Sequence, residues 1–165
     1  MRWLIDGYNV IRRDPDLHAR EVESLQAGRA ALLAVLARVA TRVADDFTVV
    51  FDGARVSGGS PGAGRVQVVF SRPPETADDV LRRLATTLRD GAIVVTSDRA
   101  VQSSARRAGA TSVDAEDFLD AALGTGEDPD DLEEDETHPG QGGPARRPSR
   151  EARAVQRALR RLRHR

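Results

Sequence analysis

Three aspartates in this chain stand at or just past the ends of apolar runs. Asp6 follows Trp3-Leu4-Ile5 and opens the tetrad Asp6-Gly7-Tyr8-Asn9; Asp52 follows Val49-Val50-Phe51; Asp98 follows Ile93-Val94-Val95 and Thr96-Ser97. Two more, Asp78 and Asp79, come directly after Thr76-Ala77. Carboxylates gathered in one place repel one another, so at least one holds a proton at neutral pH unless a cation sits between them. Mg²⁺ or Mn²⁺ takes such oxygens readily and keeps some of its waters. An ion held this way lowers the pKa of an attacking water, and a second can stabilise a leaving oxygen. The commonest reason for such an arrangement is metal-assisted phosphodiester chemistry.

Taken singly, each acid has an ordinary explanation. Asp6-Gly7 and Asp52-Gly53 make turns. Asp78 and Asp79 suit the first turn of a helix capped by Thr76, and Asp98 suits the start of a helix capped by Ser97. Only convergence in space sets them apart, and a fold must supply it. Residues 1–5 read as a buried strand, 20–44 as one long amphipathic helix, and 47–51 as a second strand. A Gly/Ser/Pro-rich loop over 53–64 leads to a third strand at 65–70. A helix from Thr76 to about Leu88, a strand at 92–95, a helix near 99–108, a strand within 109–113 and a helix over 114–123 complete the pattern. Strands alternating with helices imply βαβ units and a mostly parallel sheet of about five strands. Ligands of such sheets bind beyond the carboxyl ends of the strands, where Asp6, Asp52 and Asp98 are placed.

Other chemistries find little support. There is no Cys, and His18, His138 and His164 show no ligand spacing, which argues against disulfides, zinc and a His-based triad. The Gly-rich run 58–64 lacks the Gly-Lys-Ser/Thr of a phosphate loop, and no GxGxxG follows the first strand. No internal repeat is visible. The first strand reaches an acid before a signal-like stretch forms, and no segment has the length of a membrane span, so a soluble cytoplasmic protein is expected.

Net charge is only -1, but it is unevenly spread. All 25 basic residues are Arg, first a mark of coding bias. Residues 127–136 hold eight acids and no base, 137–149 are Gly/Pro-rich, and 146–165 hold nine Arg and one acid. The expected organisation is a catalytic domain over 1–124, a disordered linker over 125–149 and an Arg-rich tail over 150–165. Ala152, Val155, Ala158, Leu159 and Leu162 recur in that tail at helical spacing. Among the other arginines, Arg99 is the first candidate for a phosphate contact because it follows Asp98; Arg12 and Arg13 come next. Tyr8 either stacks on a base or packs under its loop.

The ordered set Asp6-Gly7-Tyr8-Asn9, Phe51-Asp52, Thr76-Ala77-Asp78-Asp79 and Thr96-Ser97-Asp98-Arg99 resembles the NYN family, and within it the YacP-like branch. The likeness spans about residues 1–123, with no counterpart apparent for 125–165. It implies a PIN-like three-layer α/β/α fold and a metal-dependent ribonuclease. It implies Asp6, Asp78, Asp79 and Asp98 as metal-binding carboxylates, with Asn9 positioning the ligand shell or the substrate. Asp52 takes a supporting role, and Thr96 and Ser97 hydrogen-bond a metal water or a phosphate oxygen. The reading is therefore an endoribonuclease using Mg²⁺ or Mn²⁺. The alternative is a non-catalytic RNA-binding or ribosome-associated module whose Arg-rich tail holds RNA through phosphates. A third possibility has residues 127–136 fold back on the Arg-rich segment or on the protein's own basic face, as an electrostatic guard against non-specific RNA.

Overall fold

Short runs that are mostly apolar cannot leave either side to water, and here they form a parallel sheet with helices on both faces. The computed structural model describes residues 1–53, 62, 64–124 and 149–163. Its strands are β1 (Arg2–Asp6), β2 (Asp46–Phe51), β3 (Val66–Phe70), β4 (Ala92–Val95) and β5 (Thr111–Val113). They lie in the order β3-β2-β1-β4-β5, and every adjacent pair is parallel. Alternate side chains feed two cores, as the period of a strand requires. Trp3, Ile5, Phe47, Val49, Phe51, Ile93 and Val95 face one way; Leu4, Val50, Ala92 and Val94 face the other.

The helices are α1 (Gly7–Ile11), α2 (Pro15–Glu23), α3 (Leu25–Arg42), α4 (Ala77–Leu88), α5 (Arg99–Arg107), α6 (Ala115–Leu123) and α7 (Arg150–Arg163). Val80, Leu81 and Ala85 of α4 and Val101 and Ala105 of α5 cover the second core. Residues of α1, α2, α3, α6 and α7 cover the first. The result is the expected α/β/α arrangement with a five-stranded sheet.

The single helix expected over 20–44 is two. Asp14 caps α2, its Oδ1 accepting the Leu17 N–H at 2.9 Å, and Pro15 takes the first helical position. Ser24 then turns extended, and its Oγ accepts the Ala27 N–H at 3.0 Å to start α3. A residue that satisfies a free N–H of the next helix gains more by breaking the spiral than by continuing it. The helix α1, directly after Asp6, is a further element that apolar spacing does not announce.

Helix α7 is strongly amphipathic, and its apolar side enters the first core, with Leu162 fully buried and Ala158 nearly so. Buried Asp45 anchors this corner. It accepts from Trp3 Nε1 at 3.1 Å and from the Met1 amino group at 3.1 Å, and lies 4.0 Å from Arg161. The basic segment thus contributes to the domain's packing. The acidic stretch 127–136 and most of the Gly-rich loop lie outside the described residues. Among the described residues, no helix is long and apolar enough to cross a membrane.

Candidate active site

The chain leaves β1 for β2 and β3 on one side and returns to β4 on the other, so the order reverses between β1 and β4. Crevices form at the carboxyl ends of strands at such a switch point. Asp6 ends β1 there, and Thr96, Ser97 and Asp98 follow β4. Gly7 is needed for the sharp exit: a Cβ on it would collide with the ring of buried Phe51.

Hydrogen bonds lock the two strand ends together. The Thr96 hydroxyl, fully buried, donates to Asp6 Oδ2 at 2.9 Å and accepts the Asp98 N–H at 3.1 Å. Asn9 Oδ1 accepts the Ser97 N–H at 2.8 Å, across the same gap. Asp98 Oδ1 accepts from the Ala100 and Val101 N–H groups at 2.7 and 3.1 Å, capping α5 and fixing the carboxylate at its positive end. Gln102 Nε2 donates to the Thr96 carbonyl at 2.7 Å, which holds the turn from behind.

The electrostatics show which acids share a field. Burial pushes Asp6 from its ordinary 3.8 up to about 6; the Thr96 hydrogen bond opposes this, and the charges of Asp78 and Asp98 add to it. Asp78 is also pushed up, first by burial and then by Asp98, with Arg82 opposing and Asp79 and Asp52 adding to the rise. Asp6, Asp78 and Asp98, from three separate elements, therefore feel one another's charge, and that repulsion suits a cation. Among the described residues, however, no group of three or more acids or histidines forms a ready ligand set.

The remaining expected residues divide. Asp52 supports: its Oδ1 accepts from Ser71 Oγ at 2.6 Å and from the Ala77 N–H at 3.2 Å, tying β2 to the start of α4. Asp79, expected as a ligand, is turned to Thr76 in a reciprocal cap, its Oδ2 accepting the Thr76 N–H at 3.0 Å and the hydroxyl at 2.9 Å. Those bonds hold its pKa below the ordinary value. The Tyr8 ring packs on Phe51 with centroids 5.1 Å apart, its hydroxyl accepts from Arg29 at 2.8 Å, and Arg12 lies over its face at 5.5 Å. Tyr8 thus packs against the body of the domain and also lines the cleft. Arg12 pairs with Glu21 at 3.0 Å and Arg13 with Glu116 at 3.3 Å, although both line the cleft. Arg99 is exposed and has no hydrogen-bond or ion-pair partner among the described residues.

Sequence reasoning missed Asp114, which follows β5. Its Oδ1 accepts from Ser97 Oγ at 3.2 Å and from the Glu116 N–H at 2.9 Å, so it joins the Ser97 side of the network. Its signal was present: the strand expected within 109–113 runs directly into an acid, as at Asp6 and Asp52. Ser71, which orients Asp52, carried no such signal. Beside these groups a cleft of about 830 Å³ opens, lined by Asp6, Asn9, Asp52, Thr76 and Asp78, with Leu25 on its outer wall.

Comparison with known proteins bears on this site. The YacP-like NYN domain model matches residues 3–161. YacP of Bacillus subtilis (strain 168) is 32% identical over 121 residues, covering 70% of this chain and 71% of that protein. The crystal structure of Rae1 (YacP) from Bacillus subtilis superposes with a TM-score of 0.66 at 29% identity, covering 75% of this chain and 74% of that one. A mutant of the same protein gives 0.64 at 28% identity, with 75% of each chain covered. The family match runs through most of α7, so the expectation that residues 125–165 lack a counterpart is corrected.

Proposed function

The chain belongs to the YacP-like NYN domain family, with its PIN-like nuclease fold, and on that premise we propose that it is a divalent-metal-dependent endoribonuclease. The observation that carries this is the geometry at the switch point: Asp6 and Asp78 line one cleft, and Thr96 ties Asp6 to Asp98 beside it. These residues fit Mg²⁺ or Mn²⁺ by the chemistry of the donor set: hard oxygens with surplus negative charge. When bound, the ion supplies Lewis acidity and an acidified water for attack on an RNA phosphodiester. The chain's own residues do the rest. Thr96 orients Asp6, Asn9 and Ser97 keep the two strand ends in register, and Asp52 fixes the start of α4 that presents Asp78. Arg99 meets a phosphate oxygen.

The test is cleavage of RNA in Mg²⁺ or Mn²⁺ by the intact chain and by Asp6→Asn and Asp98→Asn. Both variants lose cleavage while circular dichroism stays unchanged; full activity in both refutes the site. One observation favours a second reading, an RNA-binding module without catalysis: the described residues form no ready ligand set. That reading requires that neither Mg²⁺ nor Mn²⁺ bind the wild type in calorimetry, and that Asp6→Asn hold RNA as the wild type does.

A further inference from the structure

We propose that the groove between α7 and the amino-terminal ends of β1, β4 and β5 holds the RNA phosphate backbone, at the end of the sheet opposite the carboxylates. The proposal rests on RNA being the substrate class, as read above. The groove measures about 830 Å³ and is lined by Arg106, Arg150, Arg157 and Arg161 against two acids, Asp90 and Glu151. Glu151 is engaged by Arg106 at 3.3 Å, and Arg161 lies 4.0 Å from Asp45. Arg150 and Arg157 are exposed and have no carboxylate partner among the described residues.

Three features favour a phosphate chain as the occupant. Arg150, Arg157 and Arg161 form one stripe, with steps of about 10 and 6 Å along a helix rising 1.5 Å per residue. Such a line suits a linear polyanion better than a single small anion. Guanidinium groups make forked, charge-assisted hydrogen bonds to phosphate oxygens. The helix that carries the stripe is also fixed in place, because Ala158 and Leu162 on the adjoining side of α7 are sunk in the core, so little backbone ordering entropy is lost on binding. A five-residue strand spans roughly 15 Å. An RNA filling both places must therefore run the length of the sheet and offer phosphates at both ends, more than the two of a trinucleotide supply.

The experiment measures binding of a labelled single-stranded RNA long enough to reach both ends, and of a trinucleotide, by fluorescence anisotropy in EDTA. The intact chain is compared with Arg150→Ala/Arg157→Ala and with Arg150→Lys/Arg157→Lys. Thermal melting confirms that these exposed changes leave the fold intact. The Ala pair weakens binding of the long RNA about tenfold and lowers the slope of log K against log salt by about 0.7 for each phosphate that is no longer neutralised. The preference for long RNA over the trinucleotide shrinks with it. The Lys pair keeps most of the slope. Unchanged affinity and slope in the Ala pair overturn the proposal, as does a wild type that binds no RNA. Tighter binding by the Ala pair overturns it too, because the arginines would then be serving something other than RNA, the chain's own acidic residues 127–136 being the obvious rival. Groove-dependent binding without cleavage in Mg²⁺ or Mn²⁺ sinks the nuclease reading alone; cleavage with groove-independent binding sinks the groove alone.

Discussion

Thr96 donates to Asp6 and accepts from the Asp98 backbone, so one buried hydroxyl sets both the position and the charge of the cluster. Its bond to the carboxylate lowers the Asp6 pKa against the effect of burial. Thr96→Val keeps the shape, removes that bond and lets the pKa rise further. The acid limb of the pH profile of cleavage is expected to move to higher pH, with little loss at alkaline pH; a limb that stays put would show that Asp6 does not govern it. Asp79 tests the opposite role. Asp79→Ala breaks the reciprocal cap of α4, which is worth about 1 kcal/mol, and lowers the melting temperature by roughly 2–4 °C, while cleavage at low temperature persists. Asp78→Asn reverses that pattern. These neighbours are indistinguishable in the sequence, since both carboxylates suit a helix start. Which one turns back to Thr76 and which one faces Asp98 is decided by helix geometry after Ala77. Asp6, Asp52 and Asp98 were legible because a strand that ends at an acid declares where the acid goes. Tyr8 was not, because its partners Arg29 and Phe51 arrive from α3 and β2.

At the level of elements, the strands were legible because a doubly covered parallel sheet leaves uninterrupted apolar runs. The break at Ser24 was hidden because apolar spacing continues on both sides, and only the cap chemistry marks it. The role of α7 was hidden for a different reason. Its composition is dominated by arginine, so it resembles a solvated tail. Its anchoring rests on a few small and apolar side chains that find their partners in α6 and β5. If α7 is part of the fold, Leu162→Ala costs about 2–5 kcal/mol, as for other buried leucines, and urea unfolding reads that loss directly. A loss below about 0.5 kcal/mol, the usual range for a surface change, would mean that the helix is peripheral. Deleting α7 is therefore a poor test of RNA binding, since it removes core along with charge, whereas changing its exposed arginines separates the two.

For the whole molecule, the acid cluster sets how stability responds to pH and to metal. Asp6 titrates at about 6 in the folded chain against its ordinary 3.8. Between those values the folded state holds the proton that the unfolded state has released, so folding stability falls as pH rises through this window and then levels off. At 1.36 kcal/mol per pKa unit the loss is about 3 kcal/mol by neutral pH. The metal-free protein is thus expected to carry near pH 7 an electrostatic penalty that Asp6→Asn removes, making the inactive variant the more stable of the two. Chemical denaturation in EDTA at pH 4.5 and pH 7.5 checks this: the variant's advantage should be small at the lower pH and large at the higher. Adding Mg²⁺ or Mn²⁺ at about one thousand times its Kd then reverses the order, because an ion that binds only the folded wild type stabilises it by about 4.1 kcal/mol at that concentration, while Asp6→Asn has lost a ligand. If the two proteins respond to pH and metal in parallel, the carboxylates are not acting as one charged unit, and a shared ion is the wrong account of the site.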